Sequence, residues 1–216
     1  MSTLKKSISA FAVLIFTLTA CESESYSSGE GELSYLRADM VMAHTATAKT
    51  VDKAWRDDGT LLQLNPYATA EWMTTPDSLY RALLYYNNVS PAEPVAIRQV
   101  YVLRWSGSVA TATQSDPLSL VSMWKSENNE WMNLALDLKT GVVDSLDSVQ
   151  KIGVSCDSVV QKSDATHVWL RLLHDQNGVP EYYTQRIYVS LPIESNSGTV
   201  YHLTIPDRSG AITKTY

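Results

Sequence analysis

Leu18-Thr19-Ala20-Cys21 is the stretch of this chain in which residue types and their order specify a reaction. A branched apolar residue, two small residues and a cysteine form a lipobox. The small residues let the backbone enter a peptidase groove, and the thiol is the nucleophile that takes a diacylglycerol before cleavage. The residues ahead of it fit. Lys5 and Lys6 make a positive start, and residues 7–20 (SISAFAVLIFTLTA) form an uncharged, largely apolar run. That run is shorter than the roughly 20 residues that span a bilayer. Residues 1–20 therefore read as a lipoprotein signal peptide, with Cys21 the lipidated first residue of the mature chain. A single acyl chain holds a protein only marginally, so stable anchoring takes the two or three chains that this modification supplies. The expected address is the cell envelope, membrane-anchored on the outer membrane, with the periplasmic and surface faces both open.

Other chemistry-bearing residues lack such order. The four histidines are His44, His167, His174 and His202, and none is spaced from another as local metal ligands are. His167 and His174 stand seven apart on one expected strand, so they face opposite sides of a sheet. Asp144 and Asp147 bracket a Ser-rich loop without the calcium-loop pattern or its glycine. No G-x-S-x-G elbow is present. Cys156, within IGVSCDSVV, reads as a lone buried thiol, because a catalytic cysteine needs a histidine and an oxyanion site. No catalytic residue, metal or cofactor is expected, and the chain reads as a non-enzyme.

Two weaker patterns point to binding and modification. Mature residues contain Trp and Tyr but no Phe, since Phe11 and Phe16 both lie in the signal peptide. Trp and Tyr join an apolar body to a polar tip, which suits interfaces and sugar platforms as well as cores. Tyr67, Trp72, Tyr85 and Tyr86 lie near expected loops and are the candidate binding residues. Asp-Ser-apolar triplets recur, at Asp77-Ser78-Leu79, Asp144-Ser145-Leu146, Asp147-Ser148-Val149 and Asp157-Ser158-Val159. They are similar to the acceptor motif of the general O-glycosylation system of Bacteroidota. Ser145 and Ser148 are the candidate acceptors, because a transferase needs exposed loop backbone.

The elements that must position these residues read as β. Residues 22–32 (ESESYSSGEGE) are too polar for a core and form, with Cys21, a flexible lipidated tether over 21–32. Glu22-Ser23-Glu24 loosely resembles the acidic surface-export signal of Bacteroidota lipoproteins. Residues 33–44, 49–56, 60–64 and 95–105 alternate or carry β-formers, with Asp57-Asp58-Gly59 as a hairpin turn and Asn65-Pro66 closing the third. Residues 78–86 fit either a helical face or a strand face. Residues 107–129 look like a join. Asp116-Pro117 suits the start of a single short helix with Leu118, Val121 and Trp124 inward, the alternative being an extended linker. Further strands are expected at 130–138, 151–160, 166–174, 182–193, 199–205 and 211–216, a spacing that suggests a sandwich or barrel. Charge is uneven: the tether carries −4, residues 33–110 balance seven basic against seven acidic groups, and residues 111–216 carry eight against twelve. No basic stripe suits a phosphate backbone, so nucleic acid is not an expected partner.

Several segments, in this order after a lipobox, resemble the NigD-like lipoproteins of Bacteroidota. They are Asp57-Asp58-Gly59-Thr60-Leu61, Tyr80-Arg81-Ala82-Leu83, Trp131-Met132-Asn133-Leu134, Leu172-Leu173-His174-Asp175, Tyr182-Tyr183-Thr184 and Val189-Ser190-Leu191-Pro192. The resemblance covers nearly the whole mature chain and rests on short packing and turn segments. It implies an all-β fold, with an OB-like barrel over residues 33–110, a β-sandwich over 111–216, and residues 78–86 as a strand. It also implies a supposed immunity role beside a bacteriocin system, without catalytic residues to carry over. The expected function is a non-catalytic protein-binding module, as a bacteriocin immunity or accessory lipoprotein. A surface glycan-binding lipoprotein and a pilin-like envelope subunit are the competing expectations, so the partner is the membrane through the anchor plus an unidentified protein or glycan. The address has a direct check: Cys21→Ala is expected to yield an unprocessed or unlipidated protein, and acylated N-terminal peptides found by mass spectrometry in that variant would contradict it.

Overall fold

The computed structural model describes residues 36–105, 115–142, 149–194 and 198–216. Among the described residues every regular element is a strand: β1 (Leu36–Thr47), β2 (Thr50–Arg56), β3 (Leu61–Thr69), β4 (Ser78–Asn87), β5 (Glu93–Val102), β6 (Ser119–Lys125), β7 (Trp131–Thr140), β8 (Lys151–Gln161), β9 (Thr166–Asp175), β10 (Tyr183–Pro192), β11 (Thr199–Asp207) and β12 (Gly210–Thr215). They form an eight-stranded sheet, β3-β2-β1-β4-β5-β10-β7-β6, and a four-stranded one, β12-β11-β9-β8. The fold is all-β.

The first five strands curl on themselves. β1 pairs antiparallel with β2 and, from Leu36 to Thr45, with β4. The sheet bends until β3 returns to β5, where the Asn65 amide donates to Ala92 O (2.9 Å) and the Ala92 amide to Gln63 O (2.8 Å). That seam is a single parallel bridge, Leu64–Ala92, so this is the strand order of an OB-type barrel left partly open, not a closed barrel. Alanines 43, 54, 68, 70, 82 and 92 line a narrow interior, which Met73 and Tyr86, both fully buried, fill. The Tyr86 hydroxyl donates to Asp39 Oδ2 at 2.7 Å. Burial, then this bond, pushes its pKa up to about 12.

Residues 70–77 plug the barrel from one end. The Lys49 amide donates to Met73 O (2.6 Å) and the buried Thr45 hydroxyl to Thr75 O (2.7 Å). His44 ties the same segment down: its Nδ1 meets Asp52 Oδ1 at 2.7 Å and its Nε2 meets Asp77 Oδ1 at 3.0 Å.

β10 then extends the sheet beside β5, in parallel over Tyr188–Ser190, and continues antiparallel with β7. The inward faces of β7 and β10 pack against the four-stranded sheet through Met132, Leu134, Leu136, Leu170, Leu172, Leu191 and Leu203. Alternation sets this up along β9, where Val168, Leu170 and Leu172 point in and Trp169, Arg171 and Leu173 do not. Cys156 joins this core as a free, buried thiol, and burial pushes its pKa up.

Residues 78–86, which locally fit a helix or a strand, are strand β4, as the resemblance implies, because their backbone bonds go to β1 and β5. Two expectations are corrected. No helix follows Asp116-Pro117, and residues 119–125 form β6 instead. The Asp116 carboxylate, rather than capping a helix, accepts the Gln176 amide (2.7 Å), and the Leu118 amide donates to Pro206 O (2.9 Å). Tertiary partners thus satisfy the groups a helix start would have used. The third strand also runs past Asn65-Pro66 to Thr69, since an edge strand tolerates a residue without an amide hydrogen.

His44 gives the plug a pH dependence. Its hydrogen bond to Asp52, then that to Asp77, raises its pKa above 6.5, so the stability it contributes is present below pH 6.5 and is lost as pH rises through the raised value. NMR titration of the His44 ring should show a midpoint above 6.5. A midpoint at or below 6.5 would refute the ties.

Candidate functional site

Arg81 on β4 is buried, and its guanidinium is wholly enclosed. An arginine cannot shed its charge, so its surroundings must supply counter-charge and acceptors. Nη1 and Nη2 donate to the two carboxylate oxygens of Asp57 at 2.5 and 2.8 Å, Nη2 also to Asn133 Oδ1 at 3.2 Å, and Nε to Ser190 Oγ at 3.3 Å. Ser190 Oγ in turn donates to Asn133 Oδ1 at 2.7 Å. The Trp131 ring lies 4.9 Å from the guanidinium carbon and adds a cation–π contact. The partners come from the β2–β3 turn, the start of β7 and the end of β10, so one side chain binds the curled strands to the sandwich strands. Four segments that carried the resemblance, those holding Asp57, Arg81, Trp131 with Asn133, and Ser190, meet here.

In front of this hub lies a cleft. One wall is the β2–β3 turn, Arg56 to Gly59; the other is the β6–β7 turn, Ser126 to Glu130. Each turn is built locally. Gly59 takes φ +85°, and the Thr60 amide donates to Asp58 Oδ1 at 2.8 Å. Across the cleft, Ser126 Oγ accepts the Trp131 amide (2.9 Å) and Asn128 Oδ1 accepts the Glu130 amide (3.1 Å). Two adjoining hollows of about 390 and 610 Å³ share Arg56, Asp57, Asp58 and Glu127. Met40, Leu83 and Trp124 floor the first, and Met42 and Trp55 the second.

The lining is acidic: Asp39, Asp57, Asp58, Glu127 and Glu130 face only Arg56 and Lys125. Most of these carboxylates are engaged. Asp57 is spent on Arg81; Arg56 bridges Asp39 (3.2 Å) and Asp58 (3.1 Å). The amide of Thr60, then its hydroxyl, holds Asp58 below the usual carboxylate range. Glu127 makes no hydrogen bond or ion pair among the described residues. Carboxylates already spent on arginine are poorly placed to transfer protons, and no histidine, cysteine or serine nucleophile–base pair lines the cleft among the described residues. The arrangement suits recognition of cationic groups rather than bond-making.

The sequence-derived candidates lie elsewhere. Tyr67 on β3 is exposed. Trp72 is half-buried, edge-on to Tyr80 with 5.8 Å between ring centres. Tyr85 is half-buried in a patch with Met40, Leu83, Val100, Trp124 and Tyr188, 5.6 Å from Arg98. Its neighbour Tyr86 points the other way into the barrel and offers no exposed ring. The structure does not gather these four into one surface. Cys21, Ser145 and Ser148 lie outside the described residues. Of the histidines, His174 faces between the sheets, bonded to Asp116 O and Gln150, while His167 stacks with Trp169 and His202 on the outer face. Trp55, Trp124, Arg56 and Glu127 were missed. The available signal was two acidic turns, Asp57-Asp58 and Glu127-Asn128-Asn129-Glu130, whose proximity depends on tertiary packing.

No protein-family profile matches the chain, and no curated protein does. Solved structures do. A NigD-like immunity protein from Bacteroides caccae has a TM-score of 0.61 at 20% identity, over 82% of this chain and 91% of that one. A protein of unknown function from Bacteroides vulgatus has a TM-score of 0.61 at 13% identity, over 84% and 90%. A candidate lipoprotein from Bacteroides fragilis has a TM-score of 0.52 at 12% identity, over 84% and 96%. These likenesses show a shared fold.

Removing one partner of a buried ion pair strands the other charge, so Arg81→Ala and Asp57→Ala should each destabilise by about 3–5 kcal/mol in urea unfolding. The pair Arg81→Met with Asp57→Leu should lose much less than the sum. Additive losses would show that the two side chains do not act as a unit.

Proposed function

We propose that this chain is a membrane-anchored lipoprotein of the cell envelope that acts as a non-catalytic protein-binding module, of the immunity or accessory kind. The cleft carries the proposal: a hollow between two hairpin turns, braced by Arg81, whose carboxylates are held for recognition. The lipobox ending at Cys21 supports the address. Fold likeness to a chain described as a NigD-like immunity protein, and to a candidate lipoprotein, supports the role. An acidic cleft with tryptophan in its floor suits a partner segment that carries Lys or Arg, through charge pairing and cation–π contact.

The test is a crosslinked pull-down from lysate and culture supernatant of the native cells, with residues 22–216 as bait. A stoichiometric protein partner is expected, with capture weakened by high salt because the pairing is screened. Glu127→Lys should abolish capture without changing thermal stability, since this exposed side chain supports no other contact among the described residues. Capture unchanged by Glu127→Lys would remove the cleft from the role. Capture of no protein at all would overturn the protein-binding reading in favour of a glycan ligand.

A further inference from the structure

A second cavity lies on the opposite electrostatic footing. It occupies about 330 Å³ between the two sheets at one end of the sandwich. Leu138 and Ile187 form one apolar wall, from β7 and β10, and Ile152 on β8 faces them. Its size falls within the range of small-ligand sites, which are mostly apolar with a few placed polar groups.

Its polar wall is built and rigid. His174 is 1% exposed, and it places its two ring nitrogens 3.2 Å from Asp116 O and 3.2 Å from Gln150 Oε1. The Gln150 amide donates to Lys139 O at 2.6 Å, and Gln176 donates to the same oxygen at 2.9 Å. At Gly141 a Cβ would stand 2.9 Å from Pro180 Cβ, Pro180 O and Tyr182 Cδ2, so only glycine lets the chain pass that close and leave the hollow open. Two segments of the resemblance that stay away from the Arg81 hub, those holding His174 and Tyr182, shape this end of the molecule.

The rim supplies unspent polar groups. Lys151 and Gln185 line the cavity, and their side chains make no hydrogen bond or ion pair among the described residues. No carboxylate lines it among the described residues, although the chain as a whole is acidic at net −6. An ammonium without a counter-ion among the described residues, above an apolar hollow, is complementary to one kind of small molecule. We infer that this cavity binds a small amphiphilic anion, its apolar body between Leu138, Ile152 and Ile187 and its charged head at Lys151 and Gln185. The site is separate from the acidic cleft and does not rest on the protein-binding proposal.

Isothermal titration of residues 22–216 with sodium decanoate, below its micelle concentration, tests this, with decan-1-ol as the uncharged comparison. One-site saturable binding of decanoate is expected, tighter than that of the alcohol. Lys151→Gln should weaken it by about tenfold, the size of one hydrogen bond to a charged group. Ile187→Trp should block it by filling the hollow, and Ile152→Trp fills it from the opposite wall should the first variant fail to fold. Glu127→Lys, in the cleft, should leave it unchanged. Absence of saturable binding, or binding that survives the filling variants, would overturn the site. Equal binding of acid and alcohol, with Lys151→Gln silent, would overturn the anionic ligand class.

Discussion

The arrangement of this molecule depends on one buried charge. Arg81 sits on a strand of the curled sheet, yet its acceptors belong to a turn of that sheet and to two strands of the sandwich. Any packing that moved β7 or β10 away from β4 would leave a guanidinium in a low-dielectric interior with half its partners gone. The penalty for an uncompensated buried ion is several kcal/mol, comparable to a large part of a domain's net stability. Asp57 is also the residue that starts the cleft wall, so the hub that joins the two halves also sets the spacing of the hairpin turns that face each other across the cleft.

Two cores of different character hang on this junction. Alanine is the commonest buried residue within the curled strands, so a few large side chains decide whether the interior is full. The sandwich is built from interdigitated leucines. The absence of Phe after Phe16 has a physical reading in both. Tyr86 and Tyr201 fill space a phenylalanine could fill, and each hydroxyl reaches a polar partner at the core's edge: Tyr86 donates to Asp39, and Tyr201 accepts the Glu194 amide at 2.9 Å. The aromatic usage that suggested binding surfaces is thus partly a core device. The tryptophans divide differently, with Trp55 and Trp124 lining the cleft.

The two hollows are electrostatic opposites within one acidic chain. In the cleft, arginines pair with Asp39, Asp57 and Asp58, and the Glu127 side chain has no partner among the described residues. In the inter-sheet cavity, side-chain amides and an imidazole hold the wall, and the Lys151 side chain has no partner among the described residues. In each place internal pairing consumes most polar groups, and the charge left over carries the sign of the site. Among the described residues neither place sets a nucleophile beside a base, and both suit recognition.

Local information determined a good deal of this from sequence alone. Alternating hydrophobicity and turn residues placed most strands within a few residues of their ends, because period-2 burial and a positive φ at Gly59 or Asn177 are properties of short segments. Tertiary structure decided the rest. Residues 78–86 suited two periodicities, and only pairing with β1 and β5 selected the strand. Asp116-Pro117 had the chemistry of a helix start, but its carboxylate accepts the Gln176 amide from the turn after β9. Asp57, Arg81, Trp131, Asn133 and Ser190 were visible as separate short segments, and nothing local says that they touch. A buried ion pair between residues 24 positions apart, or a hydrogen bond across 109, exists only when the sheet has closed around it. Tyr85 and Tyr86 show the same limit: adjacent in sequence, they face a junction and a barrel interior, because successive side chains of a strand point to opposite sides.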